Sequence, residues 1–440
     1  DYDIIQDGIN ASMDGDTVLV APGDYHQFVR FLGKSILLTS EEGPDLTKIC
    51  GVVFSEGTDT TATLRGFGIS FVGSQALVFI HQGNSGKVLG NTISGNYVYE
   101  YGGGITVRGD KVLIKGNIIF NNTAACYGGG MLVSGSGYTI AENIIAGNTA
   151  NGDFHAPGGG GMYVSGSDLI IEYNLIADNL SGGGYNGGGG ILFNTRHEQG
   201  TTFIRNNTFV ENSCPAFYEN NGSGLWVSII RDSVEIINNI FAYNNEGGIS
   251  IVRGNMYSSN YNLYWENRYG DYANIEPGPN SLFENPLFVN PDSGDYSLLE
   301  DSPCIDAGDP NSPLDPDSTR ADIGCYYYHH IVDVTEPDSS NSPHKFYLEQ
   351  NYPNPFNGQT IISYSLPKDS DVELNIINMR GELVAKPINS HQSAGNHSLI
   401  WQGTLNDGTP VATGIYFYEL KVSNLHTSPS REVKAMILLK

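Results

Sequence analysis

Seven times between Asn91 and Asn267 the sequence writes a six-residue phrase that opens and closes on asparagine around a short apolar run. It reads Asn91-Thr-Ile-Ser-Gly-Asn96, Asn117-Ile-Ile-Phe-Asn-Asn122, Asn143-Ile-Ile-Ala-Gly-Asn148, Asn174-Leu-Ile-Ala-Asp-Asn179, Asn207-Thr-Phe-Val-Glu-Asn212, Asn239-Ile-Phe-Ala-Tyr-Asn244 and Asn262-Leu-Tyr-Trp-Glu-Asn267. By subtraction of positions, successive copies start 26, 26, 31, 33, 32 and 23 residues apart. A unit recurring at that period marks a solenoid, in which each unit buries its apolar face against its neighbours.

A second phrase keeps the same period. A glycine cluster precedes a short apolar strand at Gly102–Val107, Gly128–Val133, Gly159–Val164 and Gly188–Phe193, with weaker copies at Gly222–Val227 and Gly247–Ile251. Each repeat is expected to hold two or three strands of about 4–6 residues joined by Gly- and Asn-rich turns. Helix is excluded because clustered glycine costs about 1 kcal/mol per residue there and asparagine prefers turns. In a coil of strands, each turn adds a rung about 4.8 Å high and identical residues stack. Asparagines at a fixed bend can then bond their copies above and below, which satisfies amides that are otherwise costly to bury. The glycines read most simply as tight corners and points of close backbone packing.

At 440 residues the chain exceeds one ordinary globular core, so two domains are expected. A formal charge of −26, with 22 basic against 48 acidic residues, argues against nucleic acid as a partner. No apolar run reaches the length of a membrane span. A start at Asp1 without Met leads to the expectation of a processed, mature N-terminus.

Residues 1–50 read as the entry to the coil. Ile4-Ile5-Gln6-Asp7-Gly8-Ile9 forms a short amphipathic helix suited to capping its open end. The stretches Gly15-Asp-Thr-Val-Leu-Val-Ala-Pro-Gly-Asp-Tyr25 and Gly33-Lys-Ser-Ile-Leu-Leu-Thr-Ser40 follow as strands between glycine turns. They resemble the opening of right-handed parallel β-helix proteins, the pectin lyase-like superfamily, which includes pectin methylesterases, pectate and alginate lyases, polygalacturonases, phage tailspikes and bacterial surface proteins. The resemblance covers roughly residues 1–330 and implies a fold rather than an activity. The irregular segment 268–330 resembles the closing segment of bacterial β-helix proteins, where the positions of Cys304 and Cys325 are usually alanine. Their joint change implies a Cys304–Cys325 disulfide, which an extracellular compartment allows.

Residues 331–345 have linker chemistry. From 346 to 440 the chain alternates as short strands separated by turns, the pattern of an antiparallel β-sandwich. The run Leu348-Glu-Gln-Asn-Tyr-Pro-Asn-Pro-Phe-Asn357 is similar to the immunoglobulin-like C-terminal sorting domain of type IX secretion cargo, akin to that of the flagellar hook cap. That resemblance implies the type IX machinery as a partner and an extracellular or outer-surface location in a Gram-negative bacterium. Its persistence through Lys440 leads to the expectation that it belongs to the working particle.

Chemistry is sparse in the rungs. A β-helix lyase needs a base beside a charge neutraliser, often Ca²⁺ on carboxylates. The polygalacturonase motifs are absent, and the catalytic-aspartate motifs of pectin methylesterases do not recur. The nearest catalytic cluster is His155 with Asp153, and Arg196, His197 and Glu198 with Arg205 and Glu211. The plainer reading makes these solvated loop residues. Asp306, Asp309, Asp315, Asp317 and Asp322 could hold Ca²⁺, against acidic turns capped by Arg320; no cofactor is required. Tyr97, Tyr99, Tyr101, Tyr127, Phe154, Tyr185, Phe217 and Tyr218 fall in the turns before the glycine strands. Exposed along one edge, Tyr101, Tyr127, Phe154, Tyr185 and Tyr218 would be glycan or protein contacts; buried, they are only the packing that covers long turns.

The sequence therefore predicts an all-β chain, a right-handed parallel β-helix solenoid followed by a small antiparallel β-sandwich. Its expected role is a secreted structural or adhesive surface protein that binds polysaccharide or its own neighbours, the latter as a fibre in which one subunit's sandwich docks on the next subunit's coil. The alternative is an extracellular enzyme of the polysaccharide lyase type acting on acidic polysaccharide.

Overall fold

The computed structural model describes residues 2–70, 78–99, 101–152, 158–182, 187–194, 200–214, 222–228, 233–252, 257–330, 346–349, 351, 356, 359–378, 383–406, 408–411, 414–424 and 427–438. The chain divides into two compact units, one of residues 1–287 and 300–328, the other of 288–299 and 329–440. The first is a right-handed β-helix. The second carries small antiparallel sheets.

A regular turn of the coil contains four strands, as in Ile105–Val107, Val112–Lys115, Ile118–Phe120 and Thr123–Ala124. Each pairs in parallel with its copy one turn on: Ile105 with Met131, Leu113 with Thr139, Ile118 with Ile144, Thr123 with Thr149. The rungs are thus cut more finely than the sequence predicts. The cause lies at the corners, where residues 90, 116, 142, 173, 206, 238 and 261 all have φ between 47° and 69° and each immediately precedes the first asparagine of a phrase. Residues 95, 121, 147, 178, 211, 243 and 266 do the same before the second asparagine. Every asparagine phrase is therefore a three-residue strand held between two left-handed bends.

Between those bends the amides form two columns. The side-chain Nδ2 of Asn91, Asn117, Asn143, Asn174, Asn207 and Asn239 each donates to Oδ1 of the next copy at 2.9–3.0 Å, and the Asn96 column repeats this through Asn267 at 2.7–3.1 Å. Backbone N–H groups of one copy also donate to Oδ1 of the next, and Nδ2 donates again to a carbonyl of the preceding rung, as from Asn143 to Ile114. Buried amides cost free energy when unpaired. Here they are paired throughout. Inside the coil, Val88, Ile114, Ile140, Ile171, Ile204 and Ile236 stack in one file and Ile93, Ile119, Ile145, Ile176, Phe209, Phe241 and Tyr264 in another, all within one buried cluster.

The N-terminal helix Ile5–Ala11 closes one end as predicted, burying Ile5 and Ile9. Gln6 completes the edge of the strand Gly23–Arg30 by pairing with both backbone groups of Arg30, and Lys34 Nζ caps the helix carbonyls of Ile9 and Asn10.

The closing segment 300–328 folds over the outer face of the last rungs instead of adding to them. Cys325 N–H donates to Thr208 Oγ1 at 3.0 Å, Asn206 Nδ2 to the Asp322 carbonyl at 2.9 Å, and Asp309 N–H to Asn238 Oδ1 at 2.7 Å. This cover explains why the outward-facing Thr208 and Ile240 are buried. The expected Cys304–Cys325 bridge is not formed, because both residues are buried free thiols with different neighbours, Ser302 for Cys304 and Thr208 for Cys325. Burial pushes the Cys325 thiol up to about 12 and the Cys304 thiol up as well.

In the second unit, the strands Tyr347–Leu348, Thr360–Leu366 and Gly395–Trp401 form one antiparallel sheet, and Leu383–Gln392, Ser370–Asn378, Gly414–Asn424 and Thr427–Leu438 another. Leu348, Ile362, Leu374, Trp401 and Tyr418 belong to its core. The Tyr418 hydroxyl accepts from Asn351 N–H and donates to the Glu349 carbonyl, both at 2.7 Å, which ties the Leu348 region to the Gly414–Asn424 strand. The strand Leu383–Gln392 lies at one end of its sheet. It contains Pro387, whose missing N–H is tolerated at such an edge.

Candidate functional site

On each glycine strand the first and third residues point into the coil and the middle one points out. The outward file, in register, is Phe79, Thr106, Leu132, Tyr163, Leu192 and Trp226. Leu132, Tyr163, Leu192 and Trp226 are nonetheless buried, as a small cluster outside the main core against which Tyr101 and Tyr127 pack. The preceding glycines allow this: Gly102 has φ 63°, and a Cβ there would lie 2.5 Å from the Ile105 carbonyl oxygen. The turn can thus fold back on its own strand, where Thr106 Oγ1 donates to the Tyr101 carbonyl at 3.0 Å.

The result is a continuous row across successive rungs. The His81 and Phe79 rings are 4.3 Å apart; the Arg108 guanidinium lies 5.9 Å from the Phe79 ring centre and 5.8 Å from that of Tyr101. Tyr101 stacks on Tyr127 at 5.3 Å, and Tyr127 meets Tyr163 at 5.0 Å. His81 and Arg108 are exposed, Phe79, Tyr101 and Tyr127 half-buried, and Tyr163 buried, so the row opens toward its N-terminal end. Nearby, Tyr97 and Tyr99 are exposed and meet edge to face at 5.2 Å. Arg108 is anchored by its backbone N–H on the Ile80 carbonyl at 2.8 Å. Its guanidinium has no ion pair or side-chain hydrogen bond among the described residues.

Of the contacts expected from sequence, Tyr101 and Tyr127 are brought together, while Phe154, Tyr185 and Tyr218 lie outside the described residues. Phe79, Arg108 and Tyr163 escaped the sequence reading. For Phe79 and Tyr163 the signal was the middle position of the strand, legible only once period-two alternation is assigned its inward face; Arg108 follows the strand Ile105–Val107 and carried no such signal.

The catalytic candidates do not converge among the described residues. Arg205 is paired with Glu172, at 2.8 Å from Nη2 and 2.9 Å from Nε, and lies 5.5 Å from the Phe203 ring. Glu211 occupies a left-handed corner at φ 56°. His155, Arg196 and His197 lie outside the described residues.

Among the described residues, no group of three or more His, Cys, Asp or Glu side chains is placed to hold a metal ion. Four of the five aspartates of the closing segment accept hydrogen bonds from groups of that same segment. Asp309 Oδ1 accepts from Asn311, Asp317 Oδ1 from Thr319, Asp315 Oδ2 from Asp322 N–H and Asp322 Oδ1 from Asp306 N–H. Arg320 does not cap them. Its Nε donates to the Gly308 carbonyl and its guanidinium lies 5.6 Å from the Tyr261 ring. Burial and the neighbouring Asp322, Asp317 and Asp306 raise the Asp315 carboxyl to about 7. On the sandwich, a cavity of about 680 Å³ is lined by charged groups that are already paired: His391 with Asp371 at 2.9 Å, Lys421 with Glu419 at 2.7 Å, Arg431 with Glu419, and Glu373 with Lys386 at 3.2 Å.

Residues 50–227 match the family model of a right handed beta helix region. Residues 351–426 match that of the FlgD Ig-like domain. No curated protein matches the sequence significantly. Among solved structures, the chain is similar to the dimeric latent PorU of Porphyromonas gingivalis (19% identity, TM-score 0.19) over 20% of this chain and 9% of that one. It is also similar to PorZ of the same organism, described as an essential bacterial surface component of the type-IX secretion system, with 18% identity, TM-score 0.16 and coverage of 23% and 13%. The chain thus spans a small part of either protein. No helix among the described residues is long and apolar enough to cross a membrane.

Proposed function

We propose that the chain is a surface-displayed scaffold whose β-helix binds glycans along the open aromatic row. The continuous line His81–Phe79–Arg108–Tyr101–Tyr127 carries this reading. Half-exposed rings held rigidly at rung spacing present apolar faces with polar tips, the surface that sugar rings stack on. Display outside the cell, reached through the type IX machinery, is supported by the Asn351-Tyr-Pro-Asn-Pro-Phe356 run within the immunoglobulin-like match. The engagement of Arg205 by Glu172 favours binding over lyase chemistry. The test is retention of the full chain on immobilised polysaccharides, wild type against Tyr127→Ala and Tyr101→Ala. Loss of retention in both variants, with unchanged melting, supports the reading; retention indifferent to both overturns it.

One observation also favours self-association. Among the described residues the strand Thr17–Val20 pairs on one side only, with Leu37–Ser40, and Tyr2, Ile4, Met13 and Leu19 near it are exposed. Light scattering of purified protein decides it: growth of mass with concentration supports assembly, and a strict monomer rules it out.

A further inference from the structure

We infer that Arg108 makes the open end of the aromatic row a subsite for anionic saccharides, those bearing a carboxylate or a sulfate ester. This rests on the glycan-binding reading above and adds the charge of the ligand to it. A guanidinium offers a planar fork of N–H donors that matches a two-oxygen anion. In Arg108 that fork is exposed, and no acceptor among the described residues takes it up. The nearby Asp110 is engaged elsewhere, its Oδ1 accepting from Ser136 N–H and Oγ at 2.8 and 3.1 Å. In this chain acidic groups outnumber basic ones more than two to one, and the rung cations Lys115 and Arg205 do find carboxylates, Glu142 and Glu172. Arg108 is held instead between two rings, which fix the cation and leave its donors for a ligand.

The placement also suits the rest of the sugar. A saccharide whose anionic group reaches Arg108 has the Tyr101–Tyr127 stack immediately beside it for its ring. The net charge of −26 repels polyanions at long range, but in about 0.15 M salt that field is screened within about 8 Å. Contacts at the site then decide.

Calorimetry of the full chain in that salt, with an oligogalacturonate, a sulfated galactan oligomer and a neutral galactan oligomer of equal length, tests the inference. Wild type is expected to bind at least one anionic oligomer about tenfold or more tighter than the neutral one, the margin of a single charge-assisted contact. Which anionic oligomer binds identifies carboxylate or sulfate as the group. Arg108→Ala should remove that margin; Arg108→Lys, which keeps the charge and loses the fork, should fall between. Equal affinity for anionic and neutral oligomers, or anionic binding unaffected by Arg108→Ala, overturns the subsite while leaving the aromatic row in place. Failure to bind any of the three overturns both.

Discussion

Asn267 donates its side-chain Nδ2 to Oδ1 of Asp271 at 2.8 Å, and with that bond the second amide column ends on a carboxylate. The column is directional: each Oδ1 receives from the preceding rung and each Nδ2 gives to the next, so its last member has a donor left over. Asp271 takes it. The first column ends likewise, on Ser259 Oγ at 3.1 Å from Asn262 Nδ2. Asp271→Ala should cost about 1.5–3 kcal/mol, the range for a hydrogen bond to a charged group, while Asp271→Asn retains an acceptor and costs less. Hydrogen exchange should show the loss first in the strand Leu263–Trp265.

Mid-column positions are more demanding. Asn143 uses both faces of its amide, receiving from Asn117 N–H and Nδ2 and donating to Asn174 Oδ1 and the Ile114 carbonyl. Asn143→Ala leaves buried groups on two rungs unpaired and should lower stability by about 3–5 kcal/mol in denaturant unfolding, since each unsatisfied group costs about 1–3 kcal/mol. Asn143→Asp should be at least as damaging, because it sets a carboxylate oxygen against Asn174 Oδ1.

The left-handed corners predict opposite signs for opposite substitutions. Gly147→Ala places a side chain at φ 62°, with its Cβ 2.5 Å from Asn121 Oδ1, and should destabilise by about 1–2 kcal/mol. Glu211→Gly relieves the same conformation and should leave the melting temperature unchanged or raised, the gain being offset by the greater chain entropy of glycine. A clear fall would show that the Glu211 side chain matters more than its backbone.

Asp315 makes the closing segment sensitive to pH. Its folded pKa of about 7 lies above the ordinary 3.8, so the folded protein binds this proton more tightly than the unfolded chain does. The stabilisation is complete below the ordinary value and is lost as pH rises through about 7. Asp315→Asn, which mimics the protonated group, should therefore gain on wild type in thermal melts as pH is raised from 4 to 7; a constant difference would contradict the shift.

The coil was legible because its asparagines do one job at one bend, and stacked amides force identical residues to recur. The capping helix followed from Ile5 and Ile9, and the short strands from the glycine turns that bound them. The closing segment was not legible: nothing in Cys304, Cys325 or the aspartates says that 300–328 lies over Thr208 and Ile240, a contact between residues more than a hundred positions apart. The same holds for the site. Tyr101 and Tyr127 stood out as aromatics in turns, but Phe79 and Arg108 join them only because parallel register brings residues from different rungs side by side.

Hydroxyl-radical footprinting of the full chain, with and without a saturating bound polysaccharide, tests the central claim most directly. Protection concentrated on Phe79, Tyr101 and Tyr127, with Tyr269 and Phe283 unchanged as distant exposed controls, is the predicted result. Protection that spares the Phe79–Tyr127 row would contradict it.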